Sequence, residues 1–162
     1  MFLDYTIIPM AGEGRRFKKE NFKTIKPLIL IDKETILEKS IKNLNKSNEK
    51  IIILRNNIYN RNSLIKKIIT KENYNPIILK KSTLGQADTI YKLKNLIQEN
   101  KNALIHSCDY VVRYSKKKFI KKAKQFDVLI FVYKLKSRII KNYNSFAYCR
   151  TFGNFVKEIV EK

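Results

Sequence analysis

With 162 residues, 44% of them hydrophobic, the chain is long enough to bury one sizeable core, so its folding requires neither a disulfide framework nor a structural metal. Its two cysteines, Cys108 and Cys149, form no Cys-x-x-Cys pair and indicate no zinc site. The N-terminus lacks the basic start of a signal peptide, and no apolar stretch approaches the roughly 20 residues of a membrane span. We therefore expect a cytoplasmic protein without a membrane span.

The net charge of +21 is typical of proteins that bind nucleic acid or another anionic surface. The lysines, however, are spread along the whole chain beside abundant asparagine and isoleucine, a composition that an AT-rich coding sequence also produces. Net charge alone affects how a protein associates with partners and does not indicate its fold. A basic nucleic-acid-binding protein stays open as an alternative, although nucleic acid is not the favoured partner.

The first half of the chain alternates apolar runs with helical patterns. Residues 5–10 predict a buried strand that leads into a glycine loop. Thr35 and Glu38 have the spacing of a capping box, which predicts a helix from about Ile36 to Asn45. Two further strands are predicted at 51–54 and 77–79, with a helix between them at 64–69.

The second half continues this alternation and adds a hairpin. The spacing of Ile90, Leu93, Leu96 and Ile97 predicts a helix after Gly85. A short strand is predicted at 103–105, and Ser115 can cap a further helix. Residues 128–133 predict a central strand, and 146–150 with 155–160 predict a hairpin around Gly153-Asn154. Core packing is the expected role of the aromatic side chains, including Phe131, Phe146 and Phe155.

Strands that alternate with helices predict an α/β fold, in which helices cover both faces of a mostly parallel sheet and the crossovers are right-handed. The late hairpin suggests a mixed edge. No linker, repeat or low-complexity tract divides the sequence, so we expect a single domain over residues 1–162.

Three unusual segments follow three of the predicted strands, namely 12–16, 83–87 and Asp109. In an open α/β sheet the crevice at the carboxyl ends of the strands is where ligands bind. Because all three segments belong at that edge, the sequence predicts a ligand site there.

The first of these segments, Ala11-Gly12-Glu13-Gly14-Arg15-Arg16, is suited to phosphate. Its glycines let the backbone approach a ligand and direct N–H groups at phosphate oxygens, and its two arginines add guanidinium groups. It is neither a Walker A loop nor a dinucleotide fingerprint, since no Gly-Lys-Ser/Thr follows and Phe17 replaces the third glycine. A nucleoside triphosphate is the expected ligand, and an ordinary glycine turn is the alternative.

Lys26 and Asp109 are the candidate charged groups of the site. Pro27 favours an extended backbone at Lys26, whose ammonium could neutralise charge on a transferring phosphoryl group. Asp109 ends an apolar strand, where a carboxylate is costly to bury without a partner, and Mg²⁺ would supply one. The only histidine, His106, lies nearby, but strand alternation favours packing over metal binding.

The order and spacing of these pieces form a specific pattern. Residues 7–17, followed by Lys26-Pro27-Leu28 and Ile36-Leu37-Glu38, resemble the opening signature of the nucleotidyltransferases that make nucleotide-activated sugars. Thr83-Leu84-Gly85-Gln86-Ala87 looks like the base-reading turn of that family, and Ser107-Cys108-Asp109 looks like its metal-binding strand end. The last five residues, 158–162, are similar to its Glu-Lys segment at the sugar-phosphate pocket.

The resemblance implies a three-layer, Rossmann-like nucleotidyltransferase fold with a mostly parallel mixed sheet. It further implies Mg²⁺-dependent transfer of a nucleoside monophosphate from a nucleoside triphosphate to a sugar phosphate, or a related phosphorylated small molecule, with release of pyrophosphate. Such transfer asks the protein mainly for positioning and charge neutralisation, so the lack of a Ser-His-Asp arrangement is no objection. Synthesis of capsule or lipopolysaccharide precursors is a further expectation from the resemblance.

The resemblance also implies roles for the matching residues. Arg16 would hold the departing phosphates and Lys26 would contact the reacting phosphoryl groups. Nucleotide binding would fall to the backbone of the glycine loop and to the base-reading turn, and Asp109 would bind Mg²⁺. The nucleotide-binding residues would be Ala11, Gly12, Glu13, Gly14, Arg15, Gly85 and Gln86. The acceptor phosphate would be bound by Glu161 and Lys162.

The chain departs from the family pattern at three places. Arg15 stands where the family has a small hydroxyl residue, and Ile25 replaces the usual proline before the lysine. The third departure is that the chain ends at Lys162, before the family's second metal-binding carboxylate. We therefore expect the C-terminal part of the family domain to be absent, and a truncated, catalytically inactive nucleotide-binding relative is the alternative function.

Overall fold

The computed structural model describes residues 3–12, 24–133 and 147–160. The chain forms two compact units, Met1–Lys117 and Lys118–Lys162. The single domain expected from the sequence stays a prediction. Within the described residues, no helix combines the length and the apolar character needed to cross a membrane.

The described part of the first unit alternates strands and helices in the expected manner. In chain order its elements are β1 (Leu3–Met10), a 3-10 helix (Lys26–Leu28), β2 (Leu30–Ile31), β3 (Glu34–Thr35), α1 (Ile36–Ile41), β4 (Ser47–Arg55), α2 (Asn56–Arg61), α3 (Ser63–Lys71), β5 (Asn75–Leu79), α4 (Gln86–Tyr91) and β6 (Ala103–Ile105).

A four-stranded parallel sheet in the order β5-β4-β1-β6 forms the frame of this unit. In β1, Ile7 lies opposite Ile51 of β4 on one side and Ile105 of β6 on the other. Parallel strands all run in one direction, so their carboxyl ends meet at the same edge of the sheet. The α/β fold with a parallel sheet is confirmed, and its four strands contain no antiparallel edge.

Apolar layers cover the central strands on both faces. Ile8, Ile52 and Leu54 pack with helix residues such as Leu37 and Ile65 on one face. The alternate residues of the same strands, Ile7, Ile51 and Ile53, pack with Leu93 on the other face. This alternation follows from the period-2 geometry of a strand and confirms the expected burial on both faces.

Helix α1 begins with the predicted capping box. The Thr35 hydroxyl accepts from the Glu38 N–H at 3.1 Å, and the Glu38 carboxylate accepts from the Thr35 N–H at 3.0 Å. The helix ends at Ile41 instead of Asn45, so the predicted length was wrong. A tertiary contact explains the difference, because the Asn45 N–H donates to the Tyr114 hydroxyl at 3.2 Å and not to a helical carbonyl.

Helix α4 is also shorter than its apolar pattern predicts. It ends at Tyr91, and the chain continues through turns in which Leu93 N–H donates to Ile90 and Leu96 N–H donates to Leu93. These bonds span three residues, as in a 3-10 turn, and Leu96 is 59% exposed. Leu93 remains fully buried.

Helix α5 (Lys116–Ala123) begins directly after Ser115 and leads into the second unit. Strands β7 (Tyr148–Phe152) and β8 (Phe155–Val160) pair there as the predicted antiparallel hairpin. Gly153 in its turn has a φ of +57°, a conformation that glycine adopts without strain. The hairpin is a separate two-stranded sheet.

The predicted strand at 128–133 is wrong. Residues 128–133 do not form a strand, and all of their side chains are exposed, from 36% at Leu129 to 75% at Val128. A strand needs a hydrogen-bonded neighbour, which local sequence cannot supply.

Two of the aromatic residues expected in the core are not buried. Phe131 and Phe155 are 45% and 60% exposed, so that prediction is wrong for both. Instead of entering a core, their rings pair with Phe119 and Phe126, at centroid distances of 5.6 and 5.7 Å respectively. Phe146 lies outside the described residues.

Candidate functional site

The carboxyl edge of the four-stranded sheet brings the predicted segments together. Gly12 follows β1, Arg55 ends β4, the turn at 83–86 follows β5, and Asp109 follows β6. Polar contacts link members of this group across long stretches of sequence. The described members of the predicted segments therefore lie at one edge of the sheet, as the strand-end argument expects, and their role as a ligand site stays a prediction.

Lys26 and Asp109 form the closest ion pair of the site. The Lys26 Nζ lies 2.6 Å from the Asp109 Oδ2. Lys26 begins a 3-10 helix in which Pro27 and Leu28 are buried, and this apolar anchor holds the lysine at the strand ends. The extended backbone predicted for Lys26 is wrong, because the extended residue is Ile25. Pro27 is accommodated early in the helix, where no N–H is required.

The charge of Asp109 is set by opposing effects. Burial acts to raise the pKa of its carboxyl, but hydrogen bonds from Lys26 and Ser107 outweigh that effect and hold the pKa below its usual value. Asp109 is thus an anion at neutral pH. The sequence suggested a metal ion as its partner, whereas in this structure the partner is the Lys26 ammonium.

Ser107 connects Asp109 to the turn before α4. Its hydroxyl donates to the Asp109 Oδ1 at 2.5 Å and accepts from the Gln86 side-chain amide at 3.1 Å. The contacts from Gln86 through Ser107 and Asp109 to Lys26 therefore join three segments that are far apart in sequence. Ser107 had no role in the sequence-based prediction, although its position two residues before Asp109 is a local signal for such a contact.

The turn before α4 is held by its own helix. The Thr89 hydroxyl donates to the Gly85 carbonyl at 2.8 Å, and the Asp88 carboxylate accepts from the Leu84 N–H at 3.0 Å. Gly85 has an extended backbone, and a Cβ there would meet no atom within 4 Å. The fold of the described residues thus leaves open space beside Gly85, and the Leu84 side chain is fully exposed.

Arg55 lies beside the start of the glycine loop. Its Nη2 donates to the Gly12 carbonyl at 3.5 Å, a long contact. A Cβ on Gly12 would also meet no atom within 4 Å. Arg55 was not predicted as a site residue, although the signal was available, since it ends a buried strand next to the loop.

Comparison with known proteins identifies the family of this chain. The family model described as nucleotidyl transferase matches residues 5–162. The chain belongs to this family. The resemblance seen in the sequence is thereby confirmed, and members of the family typically use divalent metals.

A crystal structure of a nucleoside-diphosphate-sugar pyrophosphorylase from Vibrio cholerae RC9 is similar to this chain, with 20% sequence identity and a TM-score of 0.49. The match covers 67% of this chain and 50% of the Vibrio chain, so this chain spans about half the length of that protein. No curated protein matches at a significant level.

Six of the site residues predicted for this nucleotidyl transferase lie outside the described residues. They are Glu13, Gly14, Arg15, Arg16, Glu161 and Lys162. The other six, Ala11, Gly12, Lys26, Gly85, Gln86 and Asp109, are described at or beside the strand ends. Ala11 is buried directly after β1, so it can contribute only through its backbone.

His106 packs as predicted. It is buried, and its Nε2 lies 2.8 Å from the Tyr110 carbonyl. Burial lowers the pKa of its imidazole, which is therefore neutral at pH 7. Burial likewise raises the pKa of the neighbouring Cys108 thiol to about 12, so this cysteine is not a thiolate nucleophile.

The described residues fit a metal only in a limited way. They contain no group of three or more His, Cys, Asp or Glu side chains that could enclose an ion. Mg²⁺ is commonly held by one or two carboxylates together with substrate phosphates. Asp109 fits that mode, since it is ionised and accessible at the strand ends, but it must exchange its contact with Lys26 for the ion.

Proposed function

We propose that this chain transfers a nucleoside monophosphate from a nucleoside triphosphate to a sugar phosphate, or to a related phosphorylated small molecule, and releases pyrophosphate. The observation that carries the proposal is the Lys26–Asp109 pair at the carboxyl edge of the sheet, on the same edge as the glycine loop. A cation and a carboxylate at this edge suit a substrate that is itself a polyanion. Family membership supports the same class of reaction.

In this reaction a phosphate oxygen of the acceptor attacks the α-phosphorus, and the bond from that phosphorus to the oxygen bridging to the β-phosphate breaks. The Lys26 ammonium neutralises charge on the reacting phosphoryl group. Asp109 would hold Mg²⁺, which when bound supplies further charge neutralisation on phosphate oxygens. Ser107 keeps one oxygen of Asp109 occupied, so the other is directed toward Lys26.

The remaining roles follow the same proposal. The open space beside Gly12 and Gly85 suits close approach of a nucleotide to the backbone, with Gln86 next to the base. The glycine loop, including Ala11, Glu13, Gly14 and Arg15, would bind the phosphates, and Arg16 would hold those that depart. Glu161 and Lys162 would bind the acceptor phosphate. We also propose a cytoplasmic location and a role in the supply of capsule or lipopolysaccharide precursors.

Thermal unfolding with ATP, CTP, GTP, UTP and dTTP, each with and without Mg²⁺, tests the nucleotide site. A ligand at about a hundred times its Kd stabilises the folded state by roughly 2.7 kcal/mol, which raises the midpoint by a few degrees in a domain of this size. We expect a Mg²⁺-dependent shift with at least one triphosphate. The absence of a shift with all five would contradict the proposal.

Pyrophosphate release with the selected triphosphate and a panel of sugar phosphates tests the reaction. We expect Lys26→Ala and Asp109→Asn each to lower kcat by about 10²- to 10³-fold, the usual cost of removing one group that stabilises transition-state charge. Lys39→Ala is the matched control, because Lys39 forms a 3.0 Å ion pair with Asp32 in another part of the first unit. Triphosphate binding without pyrophosphate release would favour the inactive nucleotide-binding relative instead.

The nucleic-acid alternative has a separate test. Oligonucleotide binding through a dispersed positive charge weakens steeply with salt, because bound counterions are released. Steeply salt-dependent oligonucleotide binding without a triphosphate-dependent shift would support that alternative. Mg²⁺-dependent binding of a triphosphate that is insensitive to salt would exclude it.

A further inference from the structure

We propose that Arg55 is a further phosphate-binding residue of the nucleotide site. The inference rests on the proposed function, because it assigns a new contact to the same triphosphate. It adds a residue from the end of β4 to a site otherwise built from the segments after β1, β5 and β6. Its basis is the position, the contacts and the unused donors of one guanidinium group.

The position of Arg55 follows from strand register. Leu54 of β4 lies opposite Met10, the last residue of β1, and the next residue, Arg55, ends β4 opposite Leu79 of β5. Arg55 is therefore adjacent to the first residues of the glycine loop, and its contact with the Gly12 carbonyl bridges 43 positions of sequence. This placement follows from the parallel pairing of two central strands whose residues Ile7, Ile8 and 51–54 are buried.

Contacts with the described residues use only a small part of the hydrogen-bonding capacity of Arg55. A guanidinium carries five N–H donors, and the Gly12 carbonyl receives one of them at the long distance of 3.5 Å. The Nε is buried without an acceptor in the described part of the chain. Among the described residues, no carboxylate forms an ion pair with Arg55.

A phosphate group is the ligand that matches these donors. An anion can reach the terminal Nη groups of Arg55, where it would add charge-assisted hydrogen bonds, whereas the buried Nε is not accessible to a ligand. Arginine binds phosphate through paired, parallel N–H donors. A Cβ on Gly12 would meet no atom within 4 Å, and Gly12 carries the carbonyl that Arg55 contacts, so the described backbone leaves room for such a ligand.

Calorimetric titration of the full chain in the presence of Mg²⁺ tests the assignment. The probes are ATP, CTP, GTP, UTP and dTTP, followed by the diphosphate and monophosphate of the one that binds best. We expect Arg55→Ala to weaken triphosphate binding by about 10- to 100-fold, with a smaller loss for the monophosphate. Arg55→Lys should recover part of the affinity, because it keeps the charge but not the paired donors.

Arg61→Ala is the matched control, since Arg61 is an exposed arginine at the end of α2, six residues further along the chain. We expect this variant to bind every probe as the unchanged chain does. If Arg55→Ala does not fold, as judged by thermal unfolding without ligand, Arg55→Lys decides: a loss confined to the triphosphate and diphosphate supports the assignment, and unchanged affinity overturns it.

The outcomes separate this inference from the proposed function. Two results would overturn only this inference, provided that the unchanged chain binds a triphosphate. In the first, Arg55→Ala binds the tri-, di- and monophosphate with unchanged affinity. In the second, it loses the same affinity for all three, and either result means that Arg55 does not contact phosphate. If the unchanged chain binds none of the five triphosphates, the proposed function fails together with it.

Discussion

Strand β4 in the first unit and strand β8 in the second have similar apolar sequences but bury them to different extents. Residues 51–54 of β4 are almost completely buried, whereas every residue of β8 is exposed, including Ile159 at 54%. β4 pairs with β1 and β5 and has apolar layers on both faces, while β8 pairs only with β7 among the described residues. Neighbours, and not strand-forming residues, thus determine how much apolar surface a strand buries.

The largest effect that follows from this comparison is expected in β4. Ile53→Ala should lower the free energy of unfolding by about 2–5 kcal/mol, because it leaves a cavity at a fully buried position. The matched change in β8, Ile159→Ala, should cost less than about 1 kcal/mol. Urea unfolding of both variants measures the difference. Equal losses would show that β8 is packed as tightly as β4.

A smaller effect is expected at the start of α1, where the buried Thr35 side chain makes the capping contact. Thr35→Ala should lower the free energy of unfolding by about 1 kcal/mol, because it removes the hydroxyl that accepts from the Glu38 N–H. Thr70→Ala, at an exposed position of α3, is the control and should change stability little. Urea unfolding again gives the comparison, and an equal effect of both changes would argue against the capping box.

The same cap predicts a pH dependence. Hydrogen bonds from the Thr35 backbone and side chain lower the pKa of the Glu38 carboxyl from its ordinary value of 4.5. Its contribution to stability is therefore present above pH 4.5 and is lost as the pH falls through the lower pKa of the folded state. We expect Glu38→Gln to be less stable than the unchanged chain at pH 7 and to lose less stability between pH 5 and pH 3. If urea unfolding shows that both proteins lose the same free energy of unfolding over this range, the assignment is contradicted.

The smallest effect is expected in the apolar run at 128–133. Val128 is 75% exposed, so Val128→Ala should change the free energy of unfolding by less than about 0.5 kcal/mol. The matched change Val160→Ala in β8, where the side chain is 49% exposed, gives a second reference from the same unit. A loss above about 2 kcal/mol at Val128 would mean that this run packs in solution as the sequence first indicated.

The candidate site was only partly predictable. Gly12, Lys26, Gly85 and Asp109 could be selected because glycines and charges at strand ends are a local signal that the parallel sheet brings together. Their contacts could not be selected in the same way. The ion pair of Lys26 with Asp109 joins positions 83 residues apart and depends on a 3-10 helix whose Pro27 and Leu28 are buried, so local sequence could not indicate it. A metal at Asp109 stays a prediction.

By itself the sequence determined where strands β1, β4, β5 and β6 occur along the chain, the capping box of α1, the hairpin and the family, because these depend on spacing within short segments. Only the tertiary structure decided where α1 and α4 end, which apolar runs are buried, and how Ser107 and Arg55 enter the site. Helix ends and polar contacts depend on groups that are distant in sequence, such as Tyr114 for Asn45 and Gly12 for Arg55. Burial likewise depends on which strand or helix lies alongside, and a local pattern carries no information about that neighbour.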